Sequence, residues 1–588
     1  MPVELPRHQL PWPSFTQLST GPAGKLVVDQ LRAGQLSRRK LQLRALIELI
    51  EAAGLRAASA HVWPILIAAE SRNSALVDEL LLHPSAGVWL TRSLRKLSGA
   101  PVDSTPLRTD LDYLASLTGA AALRCGIPCT IDVPVVHGVA TLPTVGQLRL
   151  PSAFPAGKAI LETAPDGSGI LRALVGGVSV EFVPPLPSPG FVPVNRHTVE
   201  YRGTRLSVEI DDRGPYRTFS APVAPNPLDQ PGYSEWTKLI DEAWQILTSH
   251  YPGFATELAS GMSTLVPLET ESSFTGASSS IAFGAIAMTS KYSAVDLAEA
   301  LVHELQHSKM NALLDLVDLV DPNFSELLYA PWRDDPRPAS GLLHGIFAFL
   351  TAVEFWRVQL GQDEAGGRHA QFSYAYRRQQ VRQTADVLLA SGALTDLGRF
   401  FVESLSARLT AAEDADVPAE LDAAVTRVAN EQQATWCLRH LRPDESWVAA
   451  TTEAWLAGTE PPRPPAGPAE VTPWRRSVPH SPRMDLLRLR YLGQRARRRN
   501  LSAADLAYMA GDLTAARTAY IATILGAPQD DQAWLGLGLT MSADGQRNTL
   551  LTAPHLVLGV RDRLLGREDP CDRPVQLVNW LTSAVPTG

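Results

Sequence analysis

Cysteine is scarce: the 588 residues include only Cys125, Cys129, Cys437 and Cys571. So few, so scattered, they exclude a disulfide framework. Cys125 and Cys129 form a C-x3-C pair with no second Cys or His pair nearby, so no structural zinc site is expected and the thiols read as buried and free. No run of about 18 apolar residues is found, so no membrane span is expected. The N-terminus, MPVELPRHQLPWPSF, has proline and charge where a secretory signal needs an apolar stretch, and the expected location is cytoplasmic. A basic excess is also missing. Net charge is −8 and the pI about 5.9, which argues against a globally basic nucleic-acid or anionic-membrane binder. Lysine is rare, with 7 residues, so 46 of the 53 basic residues are arginine. In a chain rich in Ala, Leu and Pro this is the mark of coding bias, and the excess alone carries no function.

What is present is enough apolar sequence to fold. Hydrophobic residues make up 45% and charged residues 19%, which excludes wholesale disorder. At roughly 100–200 residues per domain, the length allows about three or four domains. The expected class is α+β, mainly helical. Residues 1–127 have helical periodicity, with Leu41, Ala45, Leu49 and Ala52 on one face. The basic cluster Arg38, Arg39, Lys40 and Arg44 in that region reads as a solvated helix face. Residues 128–230 are a β-rich region of short runs such as TIDVPVV and RLSVEI, broken by Gly, Pro and Asp-Gly. Residues 231–460 return to helix around a catalytic domain, with SSIAFGAIAMTS reading as a strand. Residues 461–483 are a Pro-rich linker or wrapping arm. Residues 484–588 are helical. There Gly511, Asp512, Ala516, Tyr520, Pro528, Ala533, Trp534 and Leu537 have the spacing of a tetratricopeptide-like helical hairpin, which must pack on a neighbour to cover its apolar face.

The chemistry concentrates in HELQH, His303 to His307. Ser293 and Asp296 give a helix start, Leu297, Leu301 and Leu305 a buried stripe, and Asp321-Pro322 a stop. His303 and His307 then sit one turn apart on one face, where two imidazoles can bind one metal ion. A third ligand has two candidates in GLLHGIFAFLTAVEFW. His344 shares a face with the small residues Ala348 and Thr351, and Glu354 lies on the apolar stripe of Leu343, Phe347 and Leu350. With zinc, the motif suits peptide hydrolysis with Glu304 as general base. With Fe(II), two His and one further ligand on one face leave positions open for a 2-oxo acid and dioxygen. Arg333 and Arg337 in PWRDDPRP could grip a dicarboxylate through paired hydrogen bonds, or could simply pair with Asp334 and Asp335.

The HELQH helix running into ALLDLV, then APWRDDPRP and GLLHGIFAFLTAVEFW, resembles the HExxH-type peptide β-hydroxylases. These are 2-oxoglutarate-dependent iron enzymes of ribosomally made, post-translationally modified peptides, mostly in actinobacteria, and the same module occurs fused to radical-SAM peptide maturases. The likeness is strongest from Leu297 to Trp356. Looser likeness extends to the N-terminus, including LLLHPSAGVWL and the DDRGPYR stretch Asp211 to Arg217. It implies a zincin-like HExxH core in which His303 and His307 bind Fe(II) and the Arg333/Arg337 loop helps hold 2-oxoglutarate. Some relatives have Gln at the position of His344 and a His a few residues later, where this chain has Phe349, so the third ligand stays open. Glu304 matches the motif, but an oxygenase needs no base for water attack, and its role is unassigned. The implied reaction consumes O2 and 2-oxoglutarate and hydroxylates a β-carbon of a precursor peptide, which could lie against SSIAFGAIAMTS by edge pairing. Other peptide-maturation proteins are possible partners; nucleic acid and membrane are not expected. The rivals are a zinc peptidase and a non-catalytic scaffold that delivers peptide to a maturation complex.

Overall fold

The computed structural model describes residues 8–55, 60–149, 156–173, 179–268, 276–290, 293–362, 367–412, 417–464, 469–472, 476, 478, 482–492, 502–542, 548–567 and 572–584. They fall into two compact units, Met1–Asp318 and Leu319–Gly588. The division runs through the 231–460 stretch expected as one catalytic domain: HELQH belongs to the first unit, and His344, Arg333 and Arg337 to the second. With 60% helix and 14% strand, the chain is a mainly helical α+β protein.

The first unit opens with helices α1 (Trp12–Thr20), α2 (Gly24–Ala52), α3 (Trp63–Arg72), α4 (Ser74–Leu82), α5 (Pro84–Leu97) and α6 (Leu107–Cys125). An antiparallel sheet follows, built from β1 (Cys129–Val136), β2 (Val139–Leu142), β3 (Gly146–Arg149), β4 (Ala156–Thr163), β5 (Gly169–Ala173), β6 (Ser179–Phe182) and β7 (Phe191–Pro193). Its order is β6-β5-β4-β1-β2-β3-β7, and β1 pairs with β4 over its whole length, Cys129 opposite Thr163. The alternating residues Ile131, Val133 and Val135 turn one face inward against α6. Gly119 of α6 permits that approach, since a Cβ there would fall 2.7 Å from Leu161.

A second sheet is mixed. β8 (Arg196–Tyr201) and β9 (Thr204–Ile210) form a hairpin whose turn residues Arg202 and Gly203 both have positive φ, 49° and 76°, matching the twist of the flanking strands. α7 (Gln230–His250) and α8 (Pro252–Gly261) lead to β10 (Thr264–Leu268), β11 (Gly276–Ala277) and β12 (Ala285–Thr289). The order is β11-β12-β10-β9-β8, with β10 parallel to both β9 and β12 and β11 antiparallel on the edge. Two expectations are corrected here. SSIAFGAIAMTS is strand only over Ala285–Thr289; Ser279 to Gly284 turn, with Ala282 N–H bonded to Ser279 O and φ +86° at Gly284. Edge pairing of a peptide with β12 meets β10 along the whole of one side and β11 opposite Ala287 and Met288 on the other, and the strand is buried throughout.

The basic cluster is a solvated face at Arg38, Lys40 and Arg44, as expected, but not at Arg39. Arg39 is buried, with Nη1 donating to the carbonyls of Leu81 and His83 at 2.7 and 2.8 Å. Arg38 pairs with Asp315, Lys40 with Asp78 and Arg44 with Glu48.

The second unit begins with a two-strand ladder, β13 (Leu327–Leu328) against β14 (Arg337–Pro338). Helices α10 (Ala339–Gln359), α11 (Gly367–Ala390), α12 (Asp396–Ala411) and α13 (Ala419–His440) follow. α10 is long and apolar enough to cross a membrane, but 72% of that window is buried inside the protein, the pattern of a core helix. β15 (Leu441–Arg442) and α14 (Glu445–Ala457) precede the Pro-rich segment, whose described part is an arm packed on the helices. Its β16 (Glu470–Val471) pairs with β15, and its Val478 carbonyl accepts from Arg439 at 2.6 Å. The chain closes with α15 (Pro482–Leu492), α16 (Ala503–Met509), α17 (Leu513–Gly526), α18 (Asp531–Ser542), α19 (Thr549–Thr552), α20 (Pro554–Leu565) and α21 (Pro574–Ala584). Trp534, Tyr520 and Val557 of this region share one core with Ala434 and Leu438 of α13. The last hundred residues are thus not a free-standing module. Cys125 and Cys437 are buried free thiols and Cys129 is half-buried and free; Cys571 lies outside the described residues.

Candidate metal centre

The motif helix, α9 (Ala294–Leu314), starts where the sequence says. Ser293 Oγ accepts from the Asp296 amide at 3.2 Å and donates to the Asp296 carboxylate at 2.7 Å. It ends before the expected stop at Asp321-Pro322. Asp315 caps it, its carboxylate held by Gln35 and Arg38 of α2 at 2.7 Å each, and a Leu316 N–H to Leu313 O turn closes the end. Leu297, Leu301 and Leu305 are buried as the stripe requires.

α9 is also buried on a polar side that the sequence does not advertise. Lys309 Nζ, about 1% exposed, donates at 2.8 Å to Glu257 of α8 and to Gln306 Oε1. Glu257 is fully buried and also accepts from the Ala23 amide. This pair fixes the rotation of the helix that presents the two imidazoles. Lys309→Met is expected to lower the stability of the first unit by about 3 kcal/mol, because it strands a buried carboxylate. A urea midpoint unchanged by the substitution would contradict that role.

His303 and His307 face the same way and converge. Their Nε2 atoms lie 3.2 Å apart, with the rings nearly perpendicular at 84°. Two nitrogens each about 2.1 Å from one ion, subtending a right or tetrahedral angle, lie about 3.0–3.4 Å apart. The observed spacing fits one divalent ion. Among the described residues, His303, Glu304 and His307 form the cluster of ligand atoms that could hold a metal, all within 4.8 Å of one another. Between the two histidines, Glu304 turns its carboxylate to Ser278, whose Oγ donates to Oε2 at 2.6 Å. Burial pushes the Glu304 carboxyl pKa up and the Ser278 hydrogen bond draws it partly back. Gly276 of the edge strand β11 lies against it; a Cβ there would stand 3.3 Å from Glu304 Oε1. Ser278, Glu257 and Lys309 were not legible as site residues. They are common residue types brought to α9 by long-range packing.

The other predicted residues lie in the second unit. His344 sits in the second turn of α10, and burial pushes its imidazolium pKa down to about 4, so the ring is neutral as a metal ligand must be. The rival ligand is engaged elsewhere: both carboxylate oxygens of Glu354 are gripped by Arg408 of α12. Arg333 and Arg337 do share a partner, as proximity suggested. Arg333 Nε and Arg337 Nη1 donate to the two oxygens of Asp335 at 2.8 and 3.1 Å. Burial raises the Asp335 carboxyl, but the two guanidinium hydrogen bonds outweigh it and hold the pKa below the usual value. Asp334 instead bonds Arg439 of α13 at 2.7 Å.

Trp332 packs closely against α10 at Gly345. A Cβ on Gly345 would fall 1.8 Å from its ring, so only glycine allows the contact beside His344. The Trp332 and Phe349 rings meet at 4.9 Å, tilted by 46°, and Arg377 of α11 covers Phe349 at 4.3 Å. These three side chains wall a cleft of about 730 Å³ that lies wholly within the second unit.

No protein-family model matches the chain, and no curated protein matches it.

Proposed function

We propose that the chain is an Fe(II)- and 2-oxoglutarate-dependent dioxygenase that hydroxylates a β-carbon in a ribosomally made precursor peptide. The observation that carries the metal reading is the 3.2 Å convergence of His303 and His307 Nε2 on one helix face. The oxidative reading rests on the resemblance of Leu297 to Trp356 to the HExxH-type peptide β-hydroxylases. A zincin-like core is supported by the mixed sheet whose short antiparallel edge strand β11 lies beside the motif helix. A tetratricopeptide-like hairpin is supported by Gly511, at φ +84° between α16 and α17, and by the close seat of Gly536 against the Tyr520 ring. That hairpin is the proposed contact for other peptide-maturation proteins.

In this reading His303 and His307 supply two neutral imidazoles. Of the two sequence candidates for a third ligand, Glu354 is committed to Arg408 within its own unit, which leaves His344 as the remaining candidate. Bound iron would supply the conversion of 2-oxoglutarate and O2 to succinate and carbon dioxide, with one oxygen atom inserted into the substrate C–H bond. Arg333 and Arg337 would release Asp335 and take a 2-oxoglutarate carboxylate in its place. That exchange is cheap, because a partly exposed ion pair contributes only about 0–1 kcal/mol. Arg337→Ala is expected to raise the 2-oxoglutarate KM by about tenfold, the value of one charged hydrogen bond, with a smaller change in iron affinity. Titrations with iron and with co-substrate separate the two effects, and equal loss of both would count against the role.

The second reading is a zinc peptidase, favoured by one feature: a buried carboxylate, Glu304, beside the edge strand and next to both imidazoles. Anaerobic purification with Fe(II), followed by assay with a precursor peptide, decides between them. Succinate release with a one-oxygen mass gain in the peptide supports hydroxylation. Peptide fragments without succinate would establish hydrolysis. Glu304→Gln sharpens the choice: a hydroxylase should retain metal and lose less than about tenfold in succinate formation, whereas a peptidase loses its general base and about 10²–10⁴-fold in rate.

A further inference from the structure

We propose that the 730 Å³ cleft of the second unit is a docking groove for an acidic segment of a peptide, with aromatic or aliphatic residues beside the acids. The proposal rests on the peptide substrate inferred above and adds how that substrate is recognised.

The cleft is larger than a five-carbon dicarboxylate requires and sits in the range of pockets, about 300–1,000 Å³, that enclose larger ligands. Its lining has two components. Arg377, Arg439 and Arg488 bring three guanidinium groups against two carboxylates, Asp334 and Asp485; Arg333 also lines the cleft but is held by Asp335 at 2.8 Å. One of those carboxylates, Asp334, already bonds Arg439 at 2.7 Å. The groove is therefore net positive in a chain whose total is −8. The second component is aromatic: Trp332, Phe349, Tyr376 and Trp436 line the same space. The guanidinium groups are the charged donors of the wall, and an occupant carrying carboxylates complements them.

Guanidinium forks match carboxylates in a bidentate fashion that ammonium groups cannot. Residues 319–588 contain no lysine, so every side-chain cation of this unit is of the fork type. Arginine and large aromatics are also the side chains that dominate affinity at peptide and protein interfaces. Single-stranded nucleic acid uses a similar mixture, but it needs a continuous basic track for its phosphates. Here Asp485 and Asp334 interrupt the track, and a peptide carrying a few separated acids fits the pattern better.

The test is binding alone, on the full-length chain without added metal or co-substrate. Hydroxylation activity then has no bearing on its outcome. A synthetic array of random dodecapeptides is probed first, and the strongest binders are remade with a fluorescein label for anisotropy. The expected result is enrichment of Asp or Glu next to aromatic or aliphatic residues. Replacing those acids by their amides should weaken binding at least about tenfold, as should Arg488→Glu, which alters an exposed position of α15. Arg377 stacks on Phe349, so Arg377→Gln is paired with a thermal melt, and Arg488→Glu carries the test if it fails to fold. Enrichment without acids, amide peptides that bind equally well, no binder at all, or tighter binding of a labelled dT dodecamer would each overturn the proposal.

Discussion

His307→Ala is expected to abolish iron binding and, with it, succinate formation. The two imidazoles act as one chelating pair because the helix holds their Nε2 atoms 3.2 Å apart, at the bite one ion requires. Removing one destroys the chelating pair and leaves α9 with a single imidazole for the ion. Substitutions outside the ligand shell of metal sites already cost about 10–100-fold in affinity, and deleting a ligand should cost more. The effect can be read without any assay of turnover. A ligand that binds only the folded protein stabilises it by RT ln(1 + [L]/Kd), about 2.7 kcal/mol at a hundredfold excess over Kd. The wild-type protein should therefore melt at higher temperature when Fe(II) is added anaerobically, whereas His307→Ala and His303→Ala should not respond. A His307→Ala protein that keeps full metal content and the same thermal shift would remove α9 from the metal site. Glu304→Gln provides the contrast, because Glu304 is turned toward Ser278, and its replacement should leave the thermal shift in place.

How much of this was legible follows from where the determinants lie in the chain. The start of α9 and the shared face of His303 and His307 depend on residues within a few turns of each other, and the capping serine and four-residue spacing announced both. The end of α9 depends on Asp315, which is captured by Gln35 and Arg38, 280 and 277 residues earlier. No local pattern contains that. The same holds for β12, whose apolar run was visible but whose two covering neighbours, β10 and β11, were not. Glu354 on an apolar stripe correctly signalled a need for a partner. That the partner is Arg408, 54 residues away, only the fold could say. Lys309 is the instructive miss: in an amphipathic helix a lysine reads as solvent-facing, and only the buried Glu257 makes its inward position tolerable. The split of the chain at Asp318 cuts between the two motif segments, which the continuous resemblance from Leu297 to Trp356 gave no reason to separate.

Arg483→Met should destabilise the second unit by about 3–5 kcal/mol, the range for breaking a buried ion pair by removing one partner. Arg483 is 1% exposed and sits at the junction of four elements. It donates to Glu431 of α13 at 2.5 and 3.0 Å, to Asp505 of α16 at 2.7 Å, to Tyr520 of α17 at 3.0 Å and to Gln532 of α18 at 2.9 Å. Methionine fills much of the volume but leaves two buried carboxylates facing each other's neighbourhood without a cation. The loss should be concentrated in the C-terminal helices. Hydrogen exchange of peptides around Trp534, read against those of α10, distinguishes it from general damage. The pH dependence has a definite sign. Burial raises the Asp505 carboxyl, but the Arg483 charge and hydrogen bonds from Tyr520 and Ser502 outweigh it, so its folded pKa lies below the ordinary value. The stabilisation it contributes is complete above the unfolded pKa of about 3.9 and is lost as pH falls through the lower folded value. The gap between wild type and Arg483→Met should accordingly narrow as pH falls, starting where burial makes the variant's stranded carboxylates take up protons, above the ordinary carboxyl range. A triple variant, with Glu431→Leu and Asp505→Leu added to Arg483→Met, should recover most of the loss, since the penalty comes from the stranded charges and not from the missing arginine itself. If the triple variant is no more stable than the single one, Arg483 acts by shape and not by charge.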